Sequence, residues 1–120
     1  MELLYAVLTG DLIGSSKASR LKLEATMENI AATAKFLSEY TGENTKFTRY
    51  RGDGWQLVLS PAFYLRAVAL ISARLKADKQ ALPTRFGIGV GSVDNLGGTD
   101  LRDARGSAFE LSGHALDILT

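Results

Sequence analysis

Cysteine is absent from the 120 residues, which excludes disulfide bridges and thiolate metal sites and fits a reducing compartment. Neither sign of charge dominates. Fourteen basic and thirteen acidic side chains nearly cancel, so no global pull toward nucleic acid or an anionic membrane follows. No apolar run approaches the roughly 20 residues of a membrane span. The apolar start, Leu3 to Leu8, follows an acidic Glu2 and runs straight into Gly10 and Asp11. A secretion signal needs a basic start and a longer apolar stretch, so this segment is expected to be a strand and the protein cytoplasmic. Repeats and low-complexity tracts are missing as well. Specificity has to reside in a local site.

What is present suits one packed domain over 1–120, with 46% apolar residues and a length sufficient for a single core. The chain closes on an apolar helix with no polar tail, as the front part of a longer protein would. "LLYAVLTGD" reads as a central strand, with Leu3, Tyr5, Val7, Thr9 and Asp11 on one face. Between Lys17 and Tyr40, the residues Leu23, Met27, Ile30, Ala34 and Leu37 recur at spacings of three and four. That is one stripe of an amphipathic helix, and Thr41-Gly42 ends it. Ser60-Pro61 opens a second helix running to about Ala77.

"TRFGIGVGSV" is a fourth strand on which Gly87, Gly89 and Gly91 leave one face bare. Glycine repeated along a strand face signals close approach by another group. A last helix follows in "SAFELSGHALDIL". There Glu110, His114 and Asp117 form a row that is expected to be a solvated face rather than a metal face.

The stretch "TRYRGDGWQLVL" lies between these parts. Asp53-Gly54 between two β-prone runs predicts a two-residue hairpin turn. That register pairs Gly52 with Trp55, Tyr50 with Leu57 and Thr48 with Leu59. It sets Phe47, Arg49, Arg51, Gln56 and Val58 on the other face. An Arg-Gly-Asp adhesion role is rejected, because such loops need an exposed, secreted context.

The element order predicts an α+β, ferredoxin-like βαββαβ fold. Right-handed crossovers leave an antiparallel sheet in the order 4-1-3-2, with both helices on one face and an added C-terminal helix. Asp11, at the end of strand one, then lies beside Asp53, at the start of strand three. Either residue alone has an ordinary structural explanation, a capped turn or a hairpin. Together they offer a hard oxygen site for Mg²⁺ or Mn²⁺ with open positions for phosphate. Gly14-Ser15-Ser16 adds small residues and backbone N–H groups suited to an anion such as a triphosphate.

At this point the sequence resembles a known family. "LTGDLIGSS", "RYRGDGWQLVL", "RFGIGVGSV" and "DARGSAFELSGHAL" occur in the order and spacing of class III nucleotidyl cyclase catalytic domains. More closely, they are similar to the bacterial SatD-like proteins related to them. The resemblance implies that Asp11 and Asp53 are catalytic residues holding two metal ions, with Leu12 contributing through its backbone. It implies that Leu12, Ile13, Gly14 and Ser15 cradle the phosphates. Arg49 falls where cyclases keep a base-reading lysine, and Asp103 where they keep its acidic partner.

Two positions depart from the pattern. Glu110 stands in place of the asparagine that orients the ribose, and His114 in place of the arginine that stabilises the transition state. A histidine with an ordinary pKa near ~6.5 supplies little positive charge at neutral pH, and a carboxylate repels phosphate. The metal half of the apparatus is present and the transition-state half is not.

The reading is therefore divalent-metal-dependent binding of a nucleoside triphosphate, in a homodimer joined through the open sheet face. One version is an enzyme releasing pyrophosphate as a cyclase or nucleotidyltransferase does. The alternative is a non-catalytic nucleotide sensor. A single-stranded nucleic-acid module is a rival from another class. It requires exposed aromatics, for which Tyr5 is a candidate, and a basic surface that this chain lacks.

Overall fold

The protein is described here from a computed structural model, which covers residues 4–50, 52–94 and 105–119. Its elements are β1 (Leu4–Leu12), α1 (Arg20–Thr41), β2 (Lys46–Tyr50), β3 (Gly54–Leu59), α2 (Tyr64–Ala77), β4 (Thr84–Ser92) and α3 (Ser107–Leu119). Short 3₁₀ turns at Ser15–Lys17 and Pro61–Phe63 lead into the first two helices. The sheet has the order β2-β3-β1-β4 and every pairing is antiparallel. This is the predicted order read from the other edge, and the α+β ferredoxin-like arrangement holds.

Local chemistry accounts for the helix limits. The chain is extended at Ala18 and Ser19, so α1 begins at Arg20, later than the expected Lys17. Ser19 accepts a hydrogen bond from the Lys22 amide and caps it. At the other end Gly42 takes φ 73, and its amide donates to the Ser38 carbonyl, a left-handed stop that glycine adopts without steric cost. The predicted stripe points inward: Met27, Ile30, Ala34 and Leu37 are buried and Leu23 packs beside them. Thr26 and Thr33, also fully buried, donate their hydroxyls to carbonyls one turn back.

The two faces of the sheet are closed differently. On one, Leu8, Leu12, Trp55, Leu57, Leu59 and Ile71 join the α1 stripe in the main core. On the other, α3 lies across β4 and β1, and Val7, Val58 and Ala108 form a small second cluster with Tyr5, Val93 and Phe109. The bare glycine face is the bed for this helix. A Cβ at Gly87 would overlap backbone atoms of Ser112 and Leu116, and one at Gly89 those of Ala108 and Ser112. The close approach predicted from the glycines is thus made by the last helix of the same chain. It covers the β4 and β1 side of the face that was expected to be open.

The hairpin register differs from expectation. Tyr50 pairs with Gly54, Arg49 with Trp55, Thr48 with Gln56 and Phe47 with Leu57. Strand β2 ends at Tyr50 and β3 begins at Gly54; between them Gly52 takes φ 74, and Gly54 has no positive φ. A type I′ turn on Asp53-Gly54 needs left-handed backbone at both, and here the left-handed residue is Gly52 instead. The shift is by an odd number of residues, and it exchanges the faces of β2. Phe47 joins the main core, and Arg49 turns toward α1 rather than to the opposite face with Gln56. Arg51 lies outside the described residues.

Candidate functional site

Asp11 occupies the last turn of the β1 ladder, between Gly54 of β3 and Arg85 of β4. Its neighbour Leu12 receives the carbonyl of Asp53 on its amide at 3.0 Å. The ladder therefore sets the two aspartates side by side at one end of the sheet, as the strand order predicts. Each carboxylate has a different neighbour. Arg85 Nε donates to Asp11 Oδ1 at 2.8 Å, and Ser15 Oγ donates to Asp53 Oδ2 at 2.7 Å. The Ser15 bond ties the segment after β1 to the hairpin loop. Arg85 thus places a countercharge on the Asp11 carboxylate, while Asp53 has a neutral hydroxyl as its neighbour.

The backbone of Asp11 is fixed from behind. Thr84 Oγ1 donates to the Asp11 carbonyl at 2.6 Å and accepts from Trp55 Nε1 at 3.0 Å. Trp55 is fully buried, and its indole lies where a Cβ on residue 10 would be. Gly10 is therefore explained by the packing of Trp55, without any ligand. Without glycine at this position the indole could not reach Thr84, and the chain of bonds holding Asp11 would be lost.

The remaining predicted residues divide. Leu12 is buried in the core and its amide is taken by Asp53, while the Ile13 amide donates to Pro83 O at 2.8 Å. Those two N–H groups are therefore occupied. Gly14, at φ 78, turns the chain into the 3₁₀ segment, whose first amides at Ser15 and Ser16 have no partner within that turn. Arg49 makes a bidentate pair with Glu24 of α1 at 2.6 and 2.9 Å, and donates Nε to Gly52 O at 2.8 Å. This contact lowers the Glu24 pKa and raises that of Arg49. Asp103 lies outside the described residues. Glu110 and His114 both sit on the exposed side of α3.

Donor chemistry is compatible with a hard divalent cation. Two carboxylates and the backbone carbonyl of Leu12 offer only oxygen. Among the described residues no group of three or more His, Cys, Asp or Glu side chains converges on one point. Glu110, His114 and Asp117 are all exposed along α3. A cation at Asp11 and Asp53 would rest on two carboxylates and keep positions for water or ligand oxygens. A cavity of about 450 Å³ elsewhere, lined by Tyr5, Lys46 and Val58, lies toward the opposite end of β1 and away from the carboxylates.

Arg85 and Glu24 were not anticipated from the sequence. Arg85 was within reach of it, because counting back along β4 against β1 places it opposite Asp11. Glu24 was not, since its pairing depends on the hairpin register.

No protein-family model and no curated protein matches the chain. Solved structures do. An adenylate/guanylate cyclase/hydrolase from Silicibacter pomeroyi aligns over 98% of this chain and 71% of its own, with TM-score 0.69 and 20% identity. A bacterial light-regulated adenylyl cyclase gives 0.64 over 98% and 71% at 14% identity. A guanylyl cyclase gives 0.59 over 98% and 73% at 19% identity. The chain has the fold of adenylyl and guanylyl cyclase domains. No helix among the described residues is long and apolar enough to cross a membrane.

Proposed function

We propose that this domain binds a nucleoside triphosphate together with Mg²⁺ or Mn²⁺ at the end of the sheet where Asp11 and Asp53 meet. The observation that carries the reading is their placement on adjacent positions of β1 and the β2–β3 loop, in a fold otherwise seen in nucleotide cyclases. The cation would be held by Asp11, Asp53 and the Leu12 carbonyl, and would supply positive charge to the phosphates. The turn from Ile13 to Ser15 would border the phosphates, with the Ser15 and Ser16 amides as donors. Arg49 would read a base only by giving up Glu24, so base contacts through it carry a cost in this chain.

Binding without cyclisation is the version favoured by α3. Alignment of a hydroxyl with the α-phosphate, and positive charge for the pentacovalent state, are what cyclisation demands. Glu110 and His114 supply neither. The SatD-like resemblance, a cytoplasmic location and a homodimer belong to the same proposal. The dimer would use the part of the sheet face that α3 leaves uncovered, around β2. The nucleic-acid rival is the weaker reading, because charge is nearly balanced and Tyr5, its aromatic candidate, is partly buried against Val7 and Val58.

The test is thermal melting with ATP, GTP or single-stranded RNA, each with and without Mn²⁺, for wild type and Asp53→Asn. Stabilisation by nucleotide that needs Mn²⁺ and disappears in the variant is the expected result. A folded wild type indifferent to every nucleotide would refute the reading. Chromatography of the nucleotide after long incubation separates a sensor from an enzyme.

A further inference from the structure

We infer that Arg85 is a resident counter-ion of this site, a latch that holds Asp11 in the cation-free protein and releases it when a divalent cation is loaded. The inference rests on the metal-dependent reading above and specifies how that site is regulated.

Arg85 stands directly opposite Asp11 in the β1–β4 ladder, so the pairing is built into the sheet. Its Nε donates to Oδ1 at 2.8 Å, with side-chain exposures of 39% for Arg85 and 25% for Asp11. Partial exposure matters in two ways. The pair is weak enough to be opened, and the carboxylate behind it is reachable from solvent. A carboxylate oxygen shared with a guanidinium is a poor cation ligand, and a positive charge so close opposes a second one.

The two aspartates are therefore unequal. Asp53 accepts from the neutral hydroxyl of Ser15, whereas Asp11 is neutralised by a full charge. Opening the latch needs no backbone movement, because Thr84 holds the Asp11 main chain rather than its carboxylate. Arg85 only has to swing away. Asp53 is thus the standing ligand, and Asp11 joins it on condition that Arg85 leaves.

Mn²⁺ is titrated by calorimetry into nucleotide-free wild type, Arg85→Gln and Arg85→Met. Both variants should bind Mn²⁺ about two- to fivefold more tightly than wild type, the range that an ion pair of this exposure can withhold. The gain should vanish in an Asp11→Asn background, where there is no carboxylate left to free. In wild type, Mg²⁺ should shift the Arg85 Nε–H resonance and speed its exchange, a readout that holds even if a variant fails to fold.

Equal Mn²⁺ affinity in wild type and variants overturns the latch alone. So does a gain that survives Asp11→Asn, or Mg²⁺ binding that leaves the Arg85 resonance unmoved. Absence of Mn²⁺ binding in every protein, with and without ATP, overturns both the latch and the reading beneath it.

Discussion

The two sides of this sheet reach the same end, exclusion of water, by opposite means. Toward α1 and α2 the space is filled by large side chains: Trp55, Leu8, Ile30, Leu37, Leu57 and Ile71 are all essentially inaccessible. Toward α3 the helix backbone comes down onto Gly87 and Gly89, and almost no side-chain volume separates the layers. A thick layer is sensitive to atoms removed, and a thin one to atoms added. The candidate site sits at the end of this sheet, with Trp55 from the thick side bracing Asp11 through Thr84.

The largest effect should come from truncation on the thick side. Trp55→Ala should cost about 3–5 kcal/mol in denaturant unfolding and should also loosen Asp11, since Thr84 loses its donor. On the thin side the sensitive change is the reverse. Gly89→Ala should cost about 1–3 kcal/mol through overpacking, and a neutral result would show that α3 rides higher than described. Ser112→Ala is smaller. It removes the buried 2.7 Å bond to Thr9 Oγ1, but Gln56 Nε2 still reaches that hydroxyl, so about 0.5–1.5 kcal/mol is expected.

The smallest effect belongs to the surface pair beside the hairpin. Arg49 holds the Glu24 carboxyl below its ordinary range, chiefly through their hydrogen bond. A depressed folded-state pKa adds stability that is present above the unfolded value and lost as pH falls through the folded one. A carboxyl NMR titration should find Glu24 depressed in wild type and back in the usual range in Arg49→Met, with little change in melting temperature near neutral pH. A large loss there would mean that the pair pins the hairpin register.

Much of this was legible in the residues themselves. Helix α1 follows from its spacing of apolar residues and from Gly42. The glycines on β4 announced a close neighbour, although not which one, since spacing along a strand says nothing about who approaches it. Strand order followed from element order and the handedness of crossovers. The juxtaposition of Asp11 with Asp53 then followed from strand order.

The hairpin register did not follow. Asp53-Gly54 was the turn read locally, and only the packed structure moved the left-handed residue to Gly52. Placing Phe47 in the core and Arg49 against Glu24 satisfies the buried face and the charge together, and a local turn preference worth less than both gives way. With the register went the fate of Arg49, which changes from a group expected on the open face to one committed to α1.

The amino-acid order by itself determined the alternation within each strand, the helices, the sheet order and the end of the sheet where Asp11 and Asp53 take neighbouring backbone positions. These depend on periodicities of two and 3.6 residues and on short-range connections. The tertiary structure alone decided the partners: Arg85 for Asp11, Ser15 for Asp53, Glu24 for Arg49, and α3 for the glycine face. Partners across a sheet or between layers depend on register and on the distance of approach, which the packing of the whole core sets and no local pattern contains.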